Sequence, residues 1–419
     1  MDVLLSGTMS GKYRFNNIIK VRYEQFEKLP RDLMSDSEAV FLWGDEYWQH
    51  VPQFVLDYLN EVANSYDLDT RTNSEAKQNW YAHDYRDAIA EKLLVEDRIK
   101  LDDPRKQIGT CHGAADGFAC IAGIFLEPGD EVLVVDPQFT FAWGLPDLHG
   151  AKTISVPISE EGNWNIAEED VPDLLEPKIN NKTKMMIMCM PGNPTGTVFS
   201  EGTTKAIGDI LSDHEIIYLE DSVYERRLYD DSKFVSMGSI PSMKDYAVCV
   251  RGFSKIYNVR PFRTGYIVAN EEIIDKVWRW HMLGGIDPSS IYMKVLAKCL
   301  RKEMSEPLPP RWHEDYKREW DVMRKWTYEA INNNQWLSCV MPQAGTYHFV
   351  NTSKLGSSDE VFSILRDKYK VLLTPGTWYG PRGEGYMRLC YAANLPEDTK
   401  NGVNRFLDAV TEIGRNKSL

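Results

Sequence analysis

Short, unbroken apolar runs recur through the middle of the chain. Glu131-Val132-Leu133-Val134-Val135-Asp136 follows the turn residues Pro128-Gly129-Asp130. Met185-Met186-Ile187-Met188-Cys189-Met190, Ile216-Ile217-Tyr218-Leu219-Glu220, Ala247-Val248-Cys249-Val250 and Tyr266-Ile267-Val268 continue the series. None alternates apolar with polar positions, which is how strands covered on both faces read. Helix-like segments lie between several of them. One of these, Thr203 to Leu211, opens after Ser200-Glu201-Gly202. The pattern predicts an α/β fold with a mostly parallel central sheet in a large domain.

Nearer the C-terminus the spacing changes. It predicts an amphipathic helix over Val322–Ile331, a strand over Gly345–Val350 and a helix over Asp359–Tyr369. A strand over Val371–Leu373, another over Tyr386–Tyr391 and a closing helix over Thr399–Ile413 follow. This mixture fits a smaller α+β domain. Leu308-Pro309-Pro310 interrupts the chain near the junction. The expected organisation is a large domain over 56–305 and a small domain made of 1–55 and 306–419.

The net charge of −14 comes from 48 basic and 62 acidic residues, with no long basic run. That balance argues against nucleic acid or an anionic membrane surface as the partner. No apolar stretch is long enough to span a bilayer, and the first residues hold no apolar core of a leader. Seven cysteines lie scattered, without close pairs or metal-ligand spacing. Reduced, mostly buried thiols in a cytoplasmic protein are the expectation.

In open α/β sheets, ligands bind beyond the C-terminal ends of the strands. Asn193 and Asp221 each follow an apolar run, and Lys255 comes shortly after Val248-Cys249-Val250. With Tyr224 and Arg263 they form a set able to hold an anionic pyridine aldehyde, pyridoxal 5'-phosphate. The Lys255 amine is the candidate for covalent attachment to the aldehyde. The carboxylate of Asp221 would keep the pyridine nitrogen protonated, so that the ring accepts electrons. Tyr224 and the Asn193 amide can donate to the ring oxygen. Gly113-Ala114-Ala115, entering a helix, offers backbone N–H groups to the phosphate; Ser254 and Arg263 add a hydroxyl and a planar cation. Phe139 can stack on the ring, and Arg388 can clasp the α-carboxylate of an amino acid substrate.

These motifs, in this order, resemble the fold-type I pyridoxal-phosphate enzymes, specifically the class I/II aminotransferase family. The resemblance runs from about Leu42 to Arg388. Leu42-Trp43-Gly44-Asp45 with Val51-Pro52 is similar to an early strand and turn whose glycine approaches the substrate. Asn193-Pro194-Thr195-Gly196 and the Asp221/Tyr224 pair match family motifs. So do Ser254-Lys255 with Arg263, and Arg388. Family spacing selects Asp221 over the adjacent Glu220. The resemblance implies a homodimer with sites at the subunit interface, Lys255 as general base, and amino transfer between an amino acid and a 2-oxo acid.

The chain departs from that pattern at three places. Gly252 stands where the family often has Ser or Thr, so one phosphate hydroxyl is missing or comes from elsewhere. The expected Tyr-x-x-x-x-Gly stretch is absent near Asn79–Arg86, which leaves Tyr66 and Tyr81 as competitors to reach the partner's phosphate. Gly284–Ser290 offers no Arg for a distal carboxylate, against an aspartate-like substrate preference. These departures leave elimination, replacement or cyclisation of a functionalised amino acid as an alternative outcome on the same fold. A non-enzymatic cofactor-binding regulator is more remote, because the segment before Leu42 is short and not strongly basic.

Overall fold

The computed structural model describes Leu33 and residues 36–44, 50–65, 81–284, 288–306 and 311–417. Contacts divide the chain into Met1–Ala39 and Val40–Leu419, and every helix and strand named here belongs to the second. Strand β1 (Val40–Phe41) precedes seven strands of one sheet: β2 (Ile108–Cys111), β3 (Glu131–Asp136), β4 (Lys152–Pro157), β5 (Thr183–Cys189), β6 (Ile217–Asp221), β7 (Ala247–Gly252) and β8 (Gly265–Val268). Their spatial order is β2-β8-β7-β6-β5-β3-β4, and β8 alone runs against the rest.

The unbroken apolar runs follow from this layering. Successive side chains on a strand point to opposite faces, and here both faces are covered. Val132 and Val134 enter one core with Met185 and Ile187, while Leu133 and Val135 enter the other with Met186 and Met188. On the first face pack α3 (Ala114–Phe125), α4 (Thr140–Leu148) and α6 (Glu271–Gly284); on the second packs α5 (Glu201–Asp213). Ser200 caps α5 by accepting from the Thr203 N–H, so the helix begins slightly before the expected Thr203. A further core gathers α1 (Gln53–Ser65), α2 (Tyr81–Glu96) and α7 (Ser290–Met304) around Phe253, Tyr257 and Tyr266.

The C-terminal region holds α8 (Arg311–Asn332), β9 (Tyr347–Asn351), α9 (Ser358–Tyr369), β10 (Val371–Leu372), β11 (Thr374–Pro375), β12 (Tyr386–Cys390) and α10 (Pro396–Lys417). Antiparallel β12 lies between β11 and β9, and β1 pairs in parallel with β10. The expected strand Val371–Leu373 is β10, which ends one residue earlier and pairs with β1; β11 lies beyond it and pairs with β12. Helix α8 begins at Arg311, well before the expected Val322. Strands β2 and β4 were not legible as apolar runs. Ile108-Gly109-Thr110-Cys111 is short and mixed, and Lys152–Pro157 is an edge strand with one exposed and four partly buried residues. Among the described residues, no helix is long and apolar enough to cross a membrane, and no group of side chains is suited to hold a metal ion.

Candidate active site

The sheet delivers the candidate residues at the C-terminal ends of its parallel strands. Asp221 ends β6 directly opposite Cys189, which ends β5. Strand alternation decides between the two neighbouring acids. Glu220 turns to the far face, where it accepts from the Ser222 hydroxyl, the Ser236 hydroxyl at 2.7 Å and the Met237 N–H at 2.7 Å. Asp221 faces a small cavity that it lines with Phe118, Gln138, Phe139 and Cys189. Its carboxyl accepts a long 3.3 Å bond from the Val223 N–H, with the weakly donating Cys189 thiol beside it. Burial pushes it up from 3.8 to about 7, against the Val223 N–H, the Cys189 thiol and the Lys255 ammonium, which pull it down. A buried carboxylate with such weak donors fits a cationic ring N–H as its missing partner.

Arg388 organises the other side. On β12 it lies opposite Phe349 of β9, so Tyr347 is its diagonal neighbour on the same face. Its guanidinium carbon sits 4.1 Å from the Tyr347 ring centre and 5.1 Å from that of Tyr379. One Nη donates to Asn193 Oδ1 at 3.1 Å and the other to the Trp43 carbonyl at 2.6 Å. Its Nε is buried and meets no acceptor among the described residues. Because Asn193 gives its oxygen to Arg388, its NH2 is the end left to donate toward a ring oxygen. Tyr224 joins the same set through a 2.8 Å bond between its hydroxyl and that of Tyr347.

A third group forms the anion cup. Gly113 caps α3 with φ +77° and supplies no side-chain acceptor to the helix N–H groups, so those of Ala114 and Ala115 face outward for an anion. A Cβ on Gly113 would lie 2.7 Å from Arg263 Nη2, which shows how closely the guanidinium lines the turn. Arg263 also donates to the His112 carbonyl at 3.4 Å and the Arg260 carbonyl at 3.2 Å. Gly252, the departure noted in the sequence, faces this cup: its Cβ would lie 3.5 Å from the Ala114 nitrogen. Half-buried Ser254 follows it, then half-buried Lys255 in an irregular turn.

Beneath the site lies a buried ionic cluster. Lys92 meets Glu225 at 2.9 Å and Glu96 at 3.2 Å; Arg251 meets Asp97 at 2.7 Å, Glu225, and Glu220 at 3.8 Å. Arg226 meets Glu96, and Glu303 at 2.9 Å. Glu303 also accepts from the Tyr257 hydroxyl at 2.7 Å and the Trp312 indole at 3.0 Å. Such a cluster is tolerable because opposite charges lie within reach of one another, and Arg226 and Arg251 hydrogen-bond the carboxylates of Glu96, Glu303, Asp97 and Glu225. It fixes the ends of β6 and β7, and with them Asp221 and the Lys255 turn.

Sequence reasoning missed Tyr347, Tyr379 and Cys189. Tyr347 and Tyr379 acquire their role only through strand register and chain return; Cys189 lies within the apolar run Met185–Met190, where nothing local sets it apart from a core thiol. Gly44 adjoins Trp43, whose carbonyl Arg388 engages. Tyr66 and residues 285–287 lie outside the described residues, as does the side chain of Tyr81.

The family described as aminotransferase class I and II matches residues 48–406. An aspartate aminotransferase of Pyrococcus abyssi is 32% identical over 337 residues, 80% of this chain and 82% of the relative. An aromatic-amino-acid aminotransferase 2 of Thermococcus litoralis is 31% identical over 310 residues, 73% of this chain and 77% of the relative. The crystal structure of an aromatic aminotransferase from Pyrococcus horikoshii superposes with a TM-score of 0.79 at 26% identity, covering 93% of this chain and 98% of that one. The under-donated carboxylate of Asp221, the cup at Gly113 and the orphaned Arg388 Nε suit the ring nitrogen, the phosphate and a substrate carboxylate in turn. The chain belongs to the class I and II aminotransferase family and is a pyridoxal-phosphate-dependent transferase that moves an amino group between an amino acid and a 2-oxo acid.

Proposed function

We propose that amino transfer is carried out by Lys255, Asp221, Tyr224, Asn193 and Arg388, working as one site. The observation that carries this reading is the continuous contact of Arg388, Asn193, Tyr347 and Tyr224 on one side of the cleft, with the buried Asp221 at the end of β6. Pyridoxal phosphate, when bound, supplies an aldehyde that takes up the amino group and a protonated ring that draws electrons from the substrate's α-carbon. Asp221 holds the proton on the ring nitrogen. The Tyr224 hydroxyl and the Asn193 amide donate to the ring oxygen, and Phe139 covers a ring face. The Gly113–Ala115 backbone, Ser254 and Arg263 hold the phosphate. Arg388, steadied by Asn193 and the Trp43 carbonyl beside Gly44, clasps the substrate's α-carboxylate. Lys255 Nζ anchors the cofactor between turnovers and carries the proton that leaves the substrate's α-carbon.

The same reading extends to the assembly. It takes residues 56–305 as the cofactor-binding domain, and 1–55 with 306–419 as the smaller one. It also takes the active species as a cytoplasmic homodimer. All seven cysteines are buried free thiols, which supports a reducing compartment. Trp278, Met282 and Leu283 on α6 are exposed, Leu283 at 91%, which supports a subunit contact there.

Lys255→Ala tests the central assignment. The variant is expected to lose the visible absorbance of the bound cofactor and all 2-oxo-acid-dependent turnover across a panel of amino donors. Full turnover in the folded variant would overturn the assignment. Light scattering of the purified protein tests the homodimer, and a monomer with full activity would sink it.

A further inference from the structure

The two adjacent arginines after Tyr224 part company. Arg226 turns into the ionic cluster, while Arg227 turns toward the lysine. The backbone of Arg227 is clamped: its N–H donates to the Tyr224 carbonyl at 2.8 Å, and its carbonyl accepts from the Gly345 N–H at 2.9 Å. An isolated bridge between Leu228 and Ala344 continues the clamp. The side chain is only 2% exposed. Its Nη2 donates to the Lys255 carbonyl and, at 3.3 Å, to Asn258 Oδ1. Its guanidinium carbon lies 4.0 Å from the ring centre of Trp320, on α8.

Lys255 lies in a turn just after β7, and Asn258 closes that turn in a left-handed conformation at φ +58°. One guanidinium nitrogen thus brackets the turn at both points. The indole face of Trp320 offsets part of the cost of burying that cation. A planar, always-charged fork on a packed aromatic is pre-organised in a way that a flexible ammonium is not.

We propose that Arg227 is a positioning residue for the reaction, holding the Lys255 backbone so that the amine meets the cofactor and the substrate's α-carbon at a fixed angle, with Trp320 as its support. The proposal rests on the reading of Lys255 as the attachment residue. It involves no contact between Arg227 and substrate.

The test compares Arg227→Met, Arg227→Lys, Trp320→Leu and Lys255→Ala as holoenzymes, with cofactor content and unfolding temperature measured for each. Arg227→Met is expected to lower kcat by roughly 10- to 100-fold while KM for the amino donor stays within about 2-fold, the signature of an interaction that acts in the transition state. The induced visible circular dichroism per bound cofactor, which reads orientation rather than amount, should fall by about half or more. Arg227→Lys should recover part of both losses, and Trp320→Leu should show them in weaker form. An Arg227→Met protein with unchanged dichroism overturns the proposal, whether its kcat is unchanged or falls only with its unfolding temperature. If that variant does not fold, unchanged dichroism and kcat in both Arg227→Lys and Trp320→Leu overturn it equally. If Lys255→Ala keeps its turnover, the lysine reading itself has failed. If Lys255→Ala is inactive while the Arg227 variants match the parent, only the positioning role has failed.

Discussion

Replacing Asp221 by Asn should stabilise the cofactor-free protein while disabling the enzyme. The carboxyl ionises near its ordinary 3.8 in the unfolded chain and near 7 in the fold, because burial disfavours the charge. Between those values the unfolded chain releases a proton that the folded chain retains. Ionisation therefore penalises folding, increasingly from about pH 4 to about pH 7 and constantly above that. At about 1.4 kcal/mol per pH unit, the penalty is about 2 kcal/mol at pH 5.5 and about 4 kcal/mol at pH 8.5. Asn has the same shape, still accepts from the Val223 N–H and carries no charge, so it removes the penalty. Urea unfolding of the two apoproteins at matched concentration should show a gain for Asp221→Asn that is larger at pH 8.5 by about 2 kcal/mol. The same substitution in the holoenzyme should cost about 100-fold or more in kcat, because the ring proton loses its counter-charge. A gain of equal size at both pH values, or none at either, would refute the reasoning that this carboxylate waits unpaired for a cationic partner.

Other substitutions probe the rest of the site. Arg388→Gln should raise KM for the amino donor by about 10- to 100-fold, since a charged hydrogen-bond pair contributes about 1.5–3 kcal/mol; steady-state kinetics with saturating acceptor would show it. Gly113→Ala should weaken cofactor binding by about 10-fold or more, measured by titrating apoprotein, because the new methyl meets Arg263 Nη2 at 2.7 Å on a positive-φ residue. Tyr347→Phe deletes the 2.8 Å bond to Tyr224 and should move the titration midpoint of the cofactor's visible absorbance by up to about one pH unit, as loss of one buried hydrogen bond would.

The sequence made the large sheet legible because strands covered on both faces must be apolar throughout, and Val132–Val135 and Met185–Met188 are. The order of Asn193, Asp221, Tyr224, Lys255, Arg263 and Arg388 was equally legible, since each chemical task calls for a particular residue type. Family spacing chose Asp221 over the adjacent Glu220, and the strand's alternation gives the physical reason by sending one to the serines and the other to the cleft. Arg226 and Arg227 are likewise alike on paper, and their divergence depends on what the neighbouring cores present to them. Tyr347 became part of the site through the pairing of Arg388 with Phe349, a register that no local pattern encodes. Nor does any local pattern give the strand Val371–Leu372 its partner, Val40–Phe41, some 330 residues away.

The charged cluster under β6 and β7 has a consequence for how this chain can diverge. Glu225 answers both Lys92 and Arg251, and Glu303 answers Arg226, Tyr257 and Trp312. Removing one member takes counter-charge from the ions it meets and leaves them buried with fewer partners, which is more harmful than exchanging a whole set for apolar residues. Drift at these positions is thus blocked one step at a time and open only to concerted replacement. Descendants of this chain should keep the cluster whole or lose it whole, and an engineer reshaping the cleft above it would do well to leave that foundation alone.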